Sequence, residues 1–254
     1  MKSFAYECIK STLSDKGVRT IALNRPDSLN AMNWQLIEDV SAAFNDANAD
    51  PDTLVIIFTG EGRAFCAGDD RHQHVHPENE AQARSLVDAI QRATEAITFG
   101  AKPVVGAING WAVGGGFEWA INCDFPIWGE SAKAFFPEVS LNLFVTGGVT
   151  SLLPALVGLN KAREMLMLGE RYNADELLKA GVAWRVSTDD QLLADANKVA
   201  EKLALLPSLS LHAMKRVLNQ TASTDVNTAI SLEREATISG FMDPETTKLL
   251  KLFS

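Results

Sequence analysis

Residues 104–118 read VVGAINGWAVGGGFE, and this stretch joins a strand pattern to a glycine-rich turn and the start of a helix. The run Val104 to Ile108 predicts the strand, and Gly114 to Gly116 open an apolar helical segment around Phe117 to Asn122. Glycines at a helix start leave backbone N–H groups uncovered, and the helix N-terminus adds a positive dipole end. The turn therefore predicts a binding place for an anion or a developing oxyanion, although the same glycines also permit tight packing of helix on sheet.

Strands alternate with helices on both sides of this stretch. Upstream, Phe4 to Asn24 predicts a hairpin around the turn Ser14 to Gly17. Asn33 is predicted to cap a helix that ends near Ala49. The other predicted elements are strands at Leu54 to Phe58, Asp124 to Trp128, Ala134 to Phe136 and Val182 to Val186, and helices at Ala81 to Phe99, Leu192 to Leu206 and Ser208 to Asn219. This alternation predicts a layered α/β core with right-handed crossovers.

Helical patterns dominate the chain after about Val145, with one last strand before a helical C-terminal part. The only plausible boundary lies near Asp189-Asp190. We therefore expect residues 1–190 to form the α/β core and residues 191–254 to form a C-terminal helical region.

Composition and charge exclude several classes of protein. The chain has 254 residues, of which 46% are apolar, as in a globular protein rather than a disordered one. Its 23 basic and 32 acidic side chains leave a net charge of −9, which repels nucleic acids and anionic membrane surfaces. The longest apolar runs are far shorter than the ~20 residues needed to span a bilayer. We expect a soluble protein with neither nucleic acid nor membrane as a partner.

The cysteines indicate the compartment. Cys8, Cys66 and Cys123 are an odd number, scattered along a chain with no signal-peptide pattern. From such a set we expect no disulfide framework. We expect a reducing, cytoplasmic setting instead.

A second glycine-containing turn, Cys66 to Asp70, follows the apolar strand pattern Leu54 to Phe58. Neither this turn nor the one at 109–118 has the spacing of a nucleotide-phosphate loop. The chain contains no G-x-x-x-x-G-K-[ST] sequence, and neither turn supplies G-x-G-x-x-G with an acidic residue about 20 positions further on.

Two glutamates are the candidate chemical groups. Glu118 lies three residues after Gly115 in the otherwise apolar run Phe117 to Ile121, and Glu138 follows Phe135-Phe136-Pro137. Partly dry surroundings raise the pKa of a carboxyl toward neutrality, which suits proton transfer, whereas the helix N-terminus near Glu118 acts in the opposite direction. The alternative for each is an exposed glutamate in a first helical turn or a loop.

Four motifs occur in order along the chain. The first is Leu23-Asn24-Arg25-Pro26-Asp27-Ser28-Leu29-Asn30-Ala31-Met32, and the second is Phe65-Cys66-Ala67-Gly68-Asp69-Asp70. The third has three pieces, which are Lys102-Pro103 through Asn109-Gly110, Gly114-Gly115-Gly116-Phe117-Glu118, and Cys123-Asp124. The fourth is Phe136-Pro137-Glu138. In order and spacing they resemble the motifs of the crotonase (enoyl-CoA hydratase/isomerase) superfamily, over nearly the whole chain.

The resemblance implies a spiral of ββα units in residues 1–190 and a helical trimerisation region in residues 191–254, assembled as a homo-trimer or a dimer of trimers. It also implies an acyl-CoA thioester substrate. The thioester oxygen would accept hydrogen bonds from the backbone N–H groups of Asp69 and Gly115, which stabilise an enolate. Loss of one such donor costs ~3 kcal/mol of barrier.

By the same resemblance, Glu118 and Glu138 match the two catalytic glutamates of the hydratases, which hold a water between them. One takes a proton as the hydroxyl adds to the β-carbon, and the other delivers a proton to the α-carbon. The resemblance implies no metal or redox cofactor, and coenzyme A enters as part of the substrate. Coenzyme A is expected to bind mainly through backbone around Ser28 to Asn30 and Phe65 to Ala67. The residues expected to bind substrate or coenzyme A are Ser28, Leu29, Asn30, Phe65, Cys66, Ala67, Gly114, Trp111 and Leu143.

Departures from the family pattern keep the reaction open. Bulky Leu143 and Phe144 replace small residues of the hydratases and are expected to reshape the acyl pocket, and Asp27 stands where a basic residue is frequent. An isomerase that moves the double bond works with one carboxylate, so the presence of both glutamates favours hydration. The alternatives are an enoyl-CoA isomerase, another acyl-CoA reaction of the family, and a non-catalytic scaffold that binds CoA esters.

Other polar and reactive residues receive simpler interpretations. His72, His74 and His76 alternate as metal ligands on a strand do, but a polar loop explains them better, and no metal site is predicted. Cys66 and Cys123 have no evident basic partner and are predicted to pack as small apolar groups.

Overall fold

The computed structural model describes residues 2–73, 75–221 and 226–244, together with residues 246, 248 and 251. Its strands are β1 (Lys2–Ala5), β2 (Ile9–Leu13), β3 (Val18–Leu23), β4 (Val55–Gly60), β5 (Ala64–Cys66), β6 (Val104–Ile108), β7 (Trp111–Val113), β8 (Phe125–Gly129), β9 (Lys133–Phe135), β10 (Tyr172–Asn173) and β11 (Arg185–Ser187). Its α-helices are α1 (Trp34–Ala49), α2 (Glu80–Thr98), α3 (Gly115–Ile121), α4 (Val149–Val157), α5 (Leu159–Arg163), α6 (Ala174–Ala180), α7 (Leu192–Ala204), α8 (Ser208–Thr221) and α9 (Val226–Met242). Short 3₁₀ turns occur at Pro26–Ser28 and Glu138–Leu141, and a π-helical turn at Glu164–Leu168 continues α5.

Two sheets form the framework. The larger has the strand order β1-β2-β3-β4-β6-β8-β11, in which β1, β2 and β3 are antiparallel and β3 to β11 are parallel. The smaller has the order β10-β9-β7-β5, with β5, β7 and β9 parallel. Successive units β4-β5-α2, β6-β7-α3 and β8-β9 each give their first strand to the larger sheet and their second to the smaller one. This spiral confirms the predicted α/β class and the repeating ββα unit.

Most predicted elements are present within a few residues of their expected bounds. The hairpin is β2 and β3, closed by Ser14 N–H donating to the Val18 carbonyl at 2.9 Å. The predicted cap of α1 is confirmed, since Asn33 Oδ1 accepts from Leu36 N–H at 2.9 Å. The last predicted strand begins at Arg185, three residues after its predicted start at Val182. The sequence did not predict β1 as a separate strand, nor the short strands β5, β7 and β10.

An aromatic cluster fills the core where the two sheets and α1 meet. The ring of Phe58 on β4 lies 5.0 Å from Phe44, 5.1 Å from Phe65 and 6.1 Å from Trp119, between ring centroids. All four side chains are fully buried. Edge-to-face pairs of this kind stabilise by about 1 kcal/mol each beyond their buried area. Because Phe65 immediately precedes the turn at 66–70 and Trp119 follows Glu118, the core holds both glycine-containing turns in place.

The C-terminal helices pack on the framework rather than standing apart from it. Leu192, Ala196 and Ala200 of α7 are buried against the outer face of the larger sheet. Ile238 and Phe241 of α9 pack on α2. The boundary at residue 190 stays a prediction. Within the described residues, no helix combines the length and the apolar character needed to cross a bilayer.

A buried asparagine ties the first motif to the sheet edge. Asn30 has φ +54°, a left-handed conformation that asparagine tolerates better than most residues. Its Oδ1 accepts from Arg25 N–H at 2.8 Å, and its Nδ2 donates to the carbonyls of Glu61 at 3.0 Å and Ala64 at 2.7 Å. The side chain of Asn30 is therefore used entirely inside the fold.

Replacing Asn30 by alanine is expected to lower the free energy of unfolding by about 3 kcal/mol, because three hydrogen bonds are lost and carbonyls at a buried site are left unsatisfied. Urea denaturation measures the loss. Asn45→Ala is the matched control, since Asn45 is exposed on α1 with one long bond of 3.5 Å to Ser41 Oγ. Equal losses in the two variants would contradict the structural role of Asn30.

Candidate active site

One cavity of about 130 Å³ collects the predicted catalytic residues. Asp69, Gly115, Glu118 and Glu138 all line it, as do Ala67, Gly114 and Leu143 from the predicted substrate-binding set. Leu86 and Ile90 of α2 and Thr237 and Phe241 of α9 form its far wall. The structure thus brings together residues from five separate parts of the chain.

The turn that carries Asp69 is held by a parallel bridge to Met32. Met32 N–H donates to the Gly68 carbonyl at 2.7 Å, and Asp70 N–H donates to the Met32 carbonyl at 3.0 Å. In a parallel bridge the residue between these two bonds directs its own N–H to the opposite side. The backbone N–H of Asp69 therefore points away from Met32.

Gly115 is the first residue of α3, so its N–H has no acceptor within the helix. A β-carbon at this position would lie 2.9 Å from Met32 Sδ, which also lines the cavity. At Gly114, which has φ +52°, a β-carbon would lie 2.5 Å from Glu138 Oε1. At Gly114 the left-handed backbone itself favours glycine, whereas a side chain at position 115 would require the Met32 side chain to move.

A buried ion pair fixes the loop after Asp69. Arg25 Nη2 lies 2.7 Å from Asp70 Oδ2, and the same guanidinium donates to the Ala31 carbonyl. Asp70 Oδ1 accepts from the N–H groups of His72 at 3.0 Å and Gln73 at 3.2 Å. Burial by itself would raise the pKa of Asp70, but the hydrogen bonds from Arg25 and the two amides hold it below its ordinary value. The loop is therefore anchored by an ionised carboxylate.

Glu118 is buried and accepts two hydrogen bonds from one residue. Thr146 donates through its backbone N–H at 2.8 Å and through Oγ1 at 2.5 Å. Burial raises the pKa of Glu118 to about 6, although the bonds from Thr146 act in the opposite direction. Glu118 is consequently ionised at neutral pH but gains a proton in mild acid.

Glu138 has a different environment. Its Oε2 is buried, and within the described part of the chain no hydrogen-bond donor reaches that atom. Burial raises the pKa of Glu138 well above its ordinary value, and the nearby charge of Glu118 raises it further. Of the two carboxyls, Glu138 is therefore the one whose Oε2 has no donor among the described residues and whose neighbour is a negative charge, and it holds a proton more readily than an ordinary glutamate.

The remaining residues predicted to bind substrate lie outside the cavity. Phe65 and Cys66 are fully buried in the core. The ring of Trp111 meets Phe135 at 6.2 Å and Arg171 at 5.9 Å. In the segment 28–30, the N–H groups of Ser28, Leu29 and Asn30 all donate to carbonyls of Arg25 or Pro26, and Ala67 N–H donates to the Leu29 carbonyl. The backbone N–H groups of Ser28, Leu29, Asn30 and Ala67 are thus used inside the fold.

Sequence reasoning missed several residues of the site. The α9 residues Thr237 and Phe241 have no local pattern that marks them. Met32 ends the first of the four motifs, and Thr146 stands before Gly147-Gly148 at the start of α4, but neither was predicted to line the site. A β-carbon at Gly147 would lie 2.8 Å from Glu118 Cβ, so this glycine also belongs to the site.

The thiols of Cys66 and Cys123 and the imidazoles of His72 and His76 do not line the cavity. Cys66 and Cys123 are buried, and burial raises the pKa of the Cys66 thiol to about 12, so both pack as apolar groups. The ring of His76 lies 6.0 Å from that of Phe241, and His74 lies outside the described residues. Among the residues that the structure describes, no three histidine, cysteine or acidic side chains are grouped as metal ligands.

Comparison with known proteins places this fold and site in a class. A family model described as enoyl-CoA hydratase/isomerase matches residues 14–250. The crotonyl-CoA hydratase of Syntrophomonas wolfei is 33% identical over 235 residues, which cover 91% of this chain and 89% of that protein. The chain belongs to the enoyl-CoA hydratase/isomerase family.

Two further comparisons agree. A probable mitochondrial enoyl-CoA hydratase of Dictyostelium discoideum is 35% identical over 238 residues, covering 92% of this chain and 83% of that protein. The crystal structure of an enoyl-CoA hydratase/isomerase from Mycobacterium paratuberculosis superposes with a TM-score of 0.90 at 26% identity, covering 98% of this chain and 100% of that chain. The likeness extends over the whole spiral and the C-terminal helices.

Replacing Glu118 by glutamine is expected to stabilise the protein above pH 6. The folded state raises the pKa of this carboxyl from 4.5 to about 6, so ionisation of the buried group costs about 2 kcal/mol at higher pH. Below about pH 4.5 the carboxyl is protonated in both the folded and unfolded states, and the gain disappears. Denaturation at pH 4.5 and pH 8 measures the difference. The control is Glu130→Gln, at an exposed position, which is expected to change stability equally little at both pH values. An effect of Glu118→Gln that does not depend on pH would contradict the prediction.

Proposed function

We propose that this protein is an enoyl-CoA hydratase, which adds water across the 2,3 double bond of an enoyl-CoA thioester. The observation that carries the proposal is the pair of buried carboxylates, Glu118 and Glu138, in one cavity with the first residue of α3. The activities named for the relatives above support it.

The thioester oxygen is proposed to accept hydrogen bonds from the backbone N–H groups of Asp69 and Gly115. Both residues line the cavity, the bridge to Met32 directs the first N–H away from its own strand partner, and the second lies at the N-terminus of α3. These donors stabilise the negative charge that develops on the oxygen, each by ~3 kcal/mol.

The different environments of the two glutamates support a different role for each, as follows. Ionised Glu118 takes a proton from water as the water oxygen bonds to C3. The π electrons of the C2=C3 bond form a C1=C2 bond, and those of the carbonyl move to the thioester oxygen, which gives the enolate. Protonated Glu138 then delivers its proton to C2 as the carbonyl forms again. After one turnover the proton has moved from Glu138 to Glu118, and it returns when product leaves and water enters. These steps use no metal or redox cofactor, and coenzyme A enters as part of the substrate.

The shape of the cavity favours a short acyl group. Its volume of about 130 Å³ is well below the ~300 Å³ of a typical small-molecule pocket. Leu143, Phe144 and Phe241 line it. The carbonyl oxygens of residues 28–30 and 65–67 are proposed to accept from the coenzyme A part, whose adenine amino group is a donor.

Crotonyl-CoA is the first substrate to test, with hydration followed as loss of the conjugated thioester absorbance. We expect turnover of crotonyl-CoA to exceed that of decenoyl-CoA and cinnamoyl-CoA. We expect Glu138→Gln to lower kcat by about 10³-fold with little change in KM, because only the proton donor is removed. The value of kcat is expected to fall below about pH 6, where Glu118 gains a proton, and to fall again in alkali, where Glu138 loses its own.

Several outcomes separate this proposal from its alternatives. Conversion of a 3-enoyl-CoA to its 2-enoyl isomer without hydration would identify an isomerase. Binding of acetyl-CoA without turnover of any enoyl-CoA would support a scaffold. A wild-type rate in Glu138→Gln would remove Glu138 from the mechanism, and Glu130→Gln serves as the control.

A homo-oligomer, as a trimer or a dimer of trimers, is also proposed, with the helical region 191–254 taking part. On α8, the side chains of Leu209, Met214, Val217 and Leu218 are exposed, and Leu156 of α4 lies beside them in the same groove as Met214 and Leu218. Exposed apolar patches of this extent are typical of association surfaces. The three unpaired cysteines are typical of a reducing compartment, and a cytoplasmic setting forms part of the proposal.

Light scattering coupled to gel filtration is expected to give three or six times the chain mass of 27.5 kDa. Met214→Glu is expected to shift the protein toward smaller species, because it places a charge in the apolar groove. Lys202→Glu on α7, away from that groove, is the control. A wild-type monomer at micromolar concentration would contradict the assembly.

A further inference from the structure

A third buried carboxylate lies behind the site. Glu233 of α9 is fully buried, and its partners in the described part of the chain are all N–H and O–H donors of one short segment. Gly148 N–H donates to Oε2 at 2.7 Å, and Thr150 donates to Oε1 through its N–H at 2.9 Å and through Oγ1 at 2.7 Å. These donors stand at the N-terminus of α4, where helix amides are uncovered and the dipole favours an anion.

The segment that Glu233 holds is the one that holds Glu118. Thr146 makes both hydrogen bonds to Glu118, and only Gly147 separates it from Gly148, which donates to Glu233. On the same segment, Gly147 N–H donates to Gln91 Oε1 at 3.2 Å. The backbone of residues 146–148 thus joins two sets of hydrogen bonds, one to Glu233 on α9 and one to the Glu118 carboxylate.

Gly147 and Gly148 make the position of this segment depend on hydrogen bonds from outside it. Gly147 and Gly148 have φ values of +69° and +67°, and neither has a side chain that could hold the segment by packing. Glycines lose the most conformational freedom on folding, so the position of such a segment depends on the groups that bind it from outside. Glu233 provides three of those contacts. Burial raises the pKa of Glu233 to about 7, although the hydrogen bonds from Thr150 act in the opposite direction, and the negative charge of Glu118 raises it further.

We propose that Glu233 is a positioning residue for the reaction: it anchors the segment 146–150 so that Thr146 holds the Glu118 carboxylate toward the cavity. The inference rests on the proposed hydratase function. Glu233 itself does not line the cavity, so it acts through Thr146 and not on the substrate.

The test compares Glu233→Gln with Glu235→Gln, two residues further along α9. Glu235 is exposed and pairs with Arg84 at 2.8 Å, so its variant removes a charge from the same helix without touching the segment. We expect Glu233→Gln to lower kcat for crotonyl-CoA by about 10²-fold, because a small displacement of a reacting group has an effect of this size. Its KM is expected to stay within about threefold, since no substrate contact is removed. Glu235→Gln is expected to keep the wild-type kcat.

A second measurement does not depend on turnover. The amide proton of Thr146 donates to Glu118 and is therefore deshielded, and its NMR resonance is expected to move upfield in Glu233→Gln and not in Glu235→Gln. If Glu233→Gln does not fold, Thr150→Val, which removes one of the three donors and keeps the shape, is measured in its place. It is expected to show the same changes at reduced size.

The outcomes are distinct. Wild-type kcat and an unmoved Thr146 resonance in a folded Glu233→Gln would overturn the inference and leave the hydratase function standing. An inactive wild-type protein would overturn the proposed function, and the Thr146 resonance would then decide by itself whether Glu233 positions Glu118. A fall in stability with unchanged kcat per folded molecule would reduce Glu233 to a structural role and would also overturn the inference.

Discussion

The close backbone contact between the turns 66–68 and 113–116 is the constraint on which the site depends. A β-carbon at Gly68 would lie 2.9 Å from the Val113 carbonyl oxygen, and one at Gly116 would overlap the backbone of Cys66. Only glycine allows two chains to approach so closely. Because β5 and β7 are neighbours in the smaller sheet, this contact carries Asp69 and Gly115 to the same cavity.

Burying the two glutamates of the cavity lowers the stability of the fold when they ionise. Burial raises the pKa of both Glu118 and Glu138, so the folded state binds these two protons more tightly than the unfolded chain does. The stability that the protonated form of Glu118 contributes is lost as the pH rises through about 6. The aromatic cluster around Phe58 and the ionised Asp70 anchor offset that cost close to the site. Local destabilisation of this kind is common where carboxylates must exchange protons.

Of the C-terminal helices, α9 contributes to the cavity as well as to the packing. Thr237 and Phe241 of α9 form part of the cavity wall, and Glu233 holds the segment behind Glu118. The division at residue 190, expected from the helical pattern, therefore does not separate the site from the helical region. Through Glu233, α9 contacts the segment that holds Glu118.

By itself, the sequence determined the α/β class, long elements such as α1, α2 and β6, and the candidate residues Asp69, Gly115, Glu118 and Glu138. Caps, periodicity and ordered motifs are local, so they can be read along the chain. The tertiary structure decided the rest. Strands of two or three residues, such as β7 and β10, are too short to show a period and exist because a partner strand pairs with them. The roles of Thr146 and Glu233 arise from hydrogen bonds that span 28 and 85 residues, and no local pattern records contacts between such distant segments.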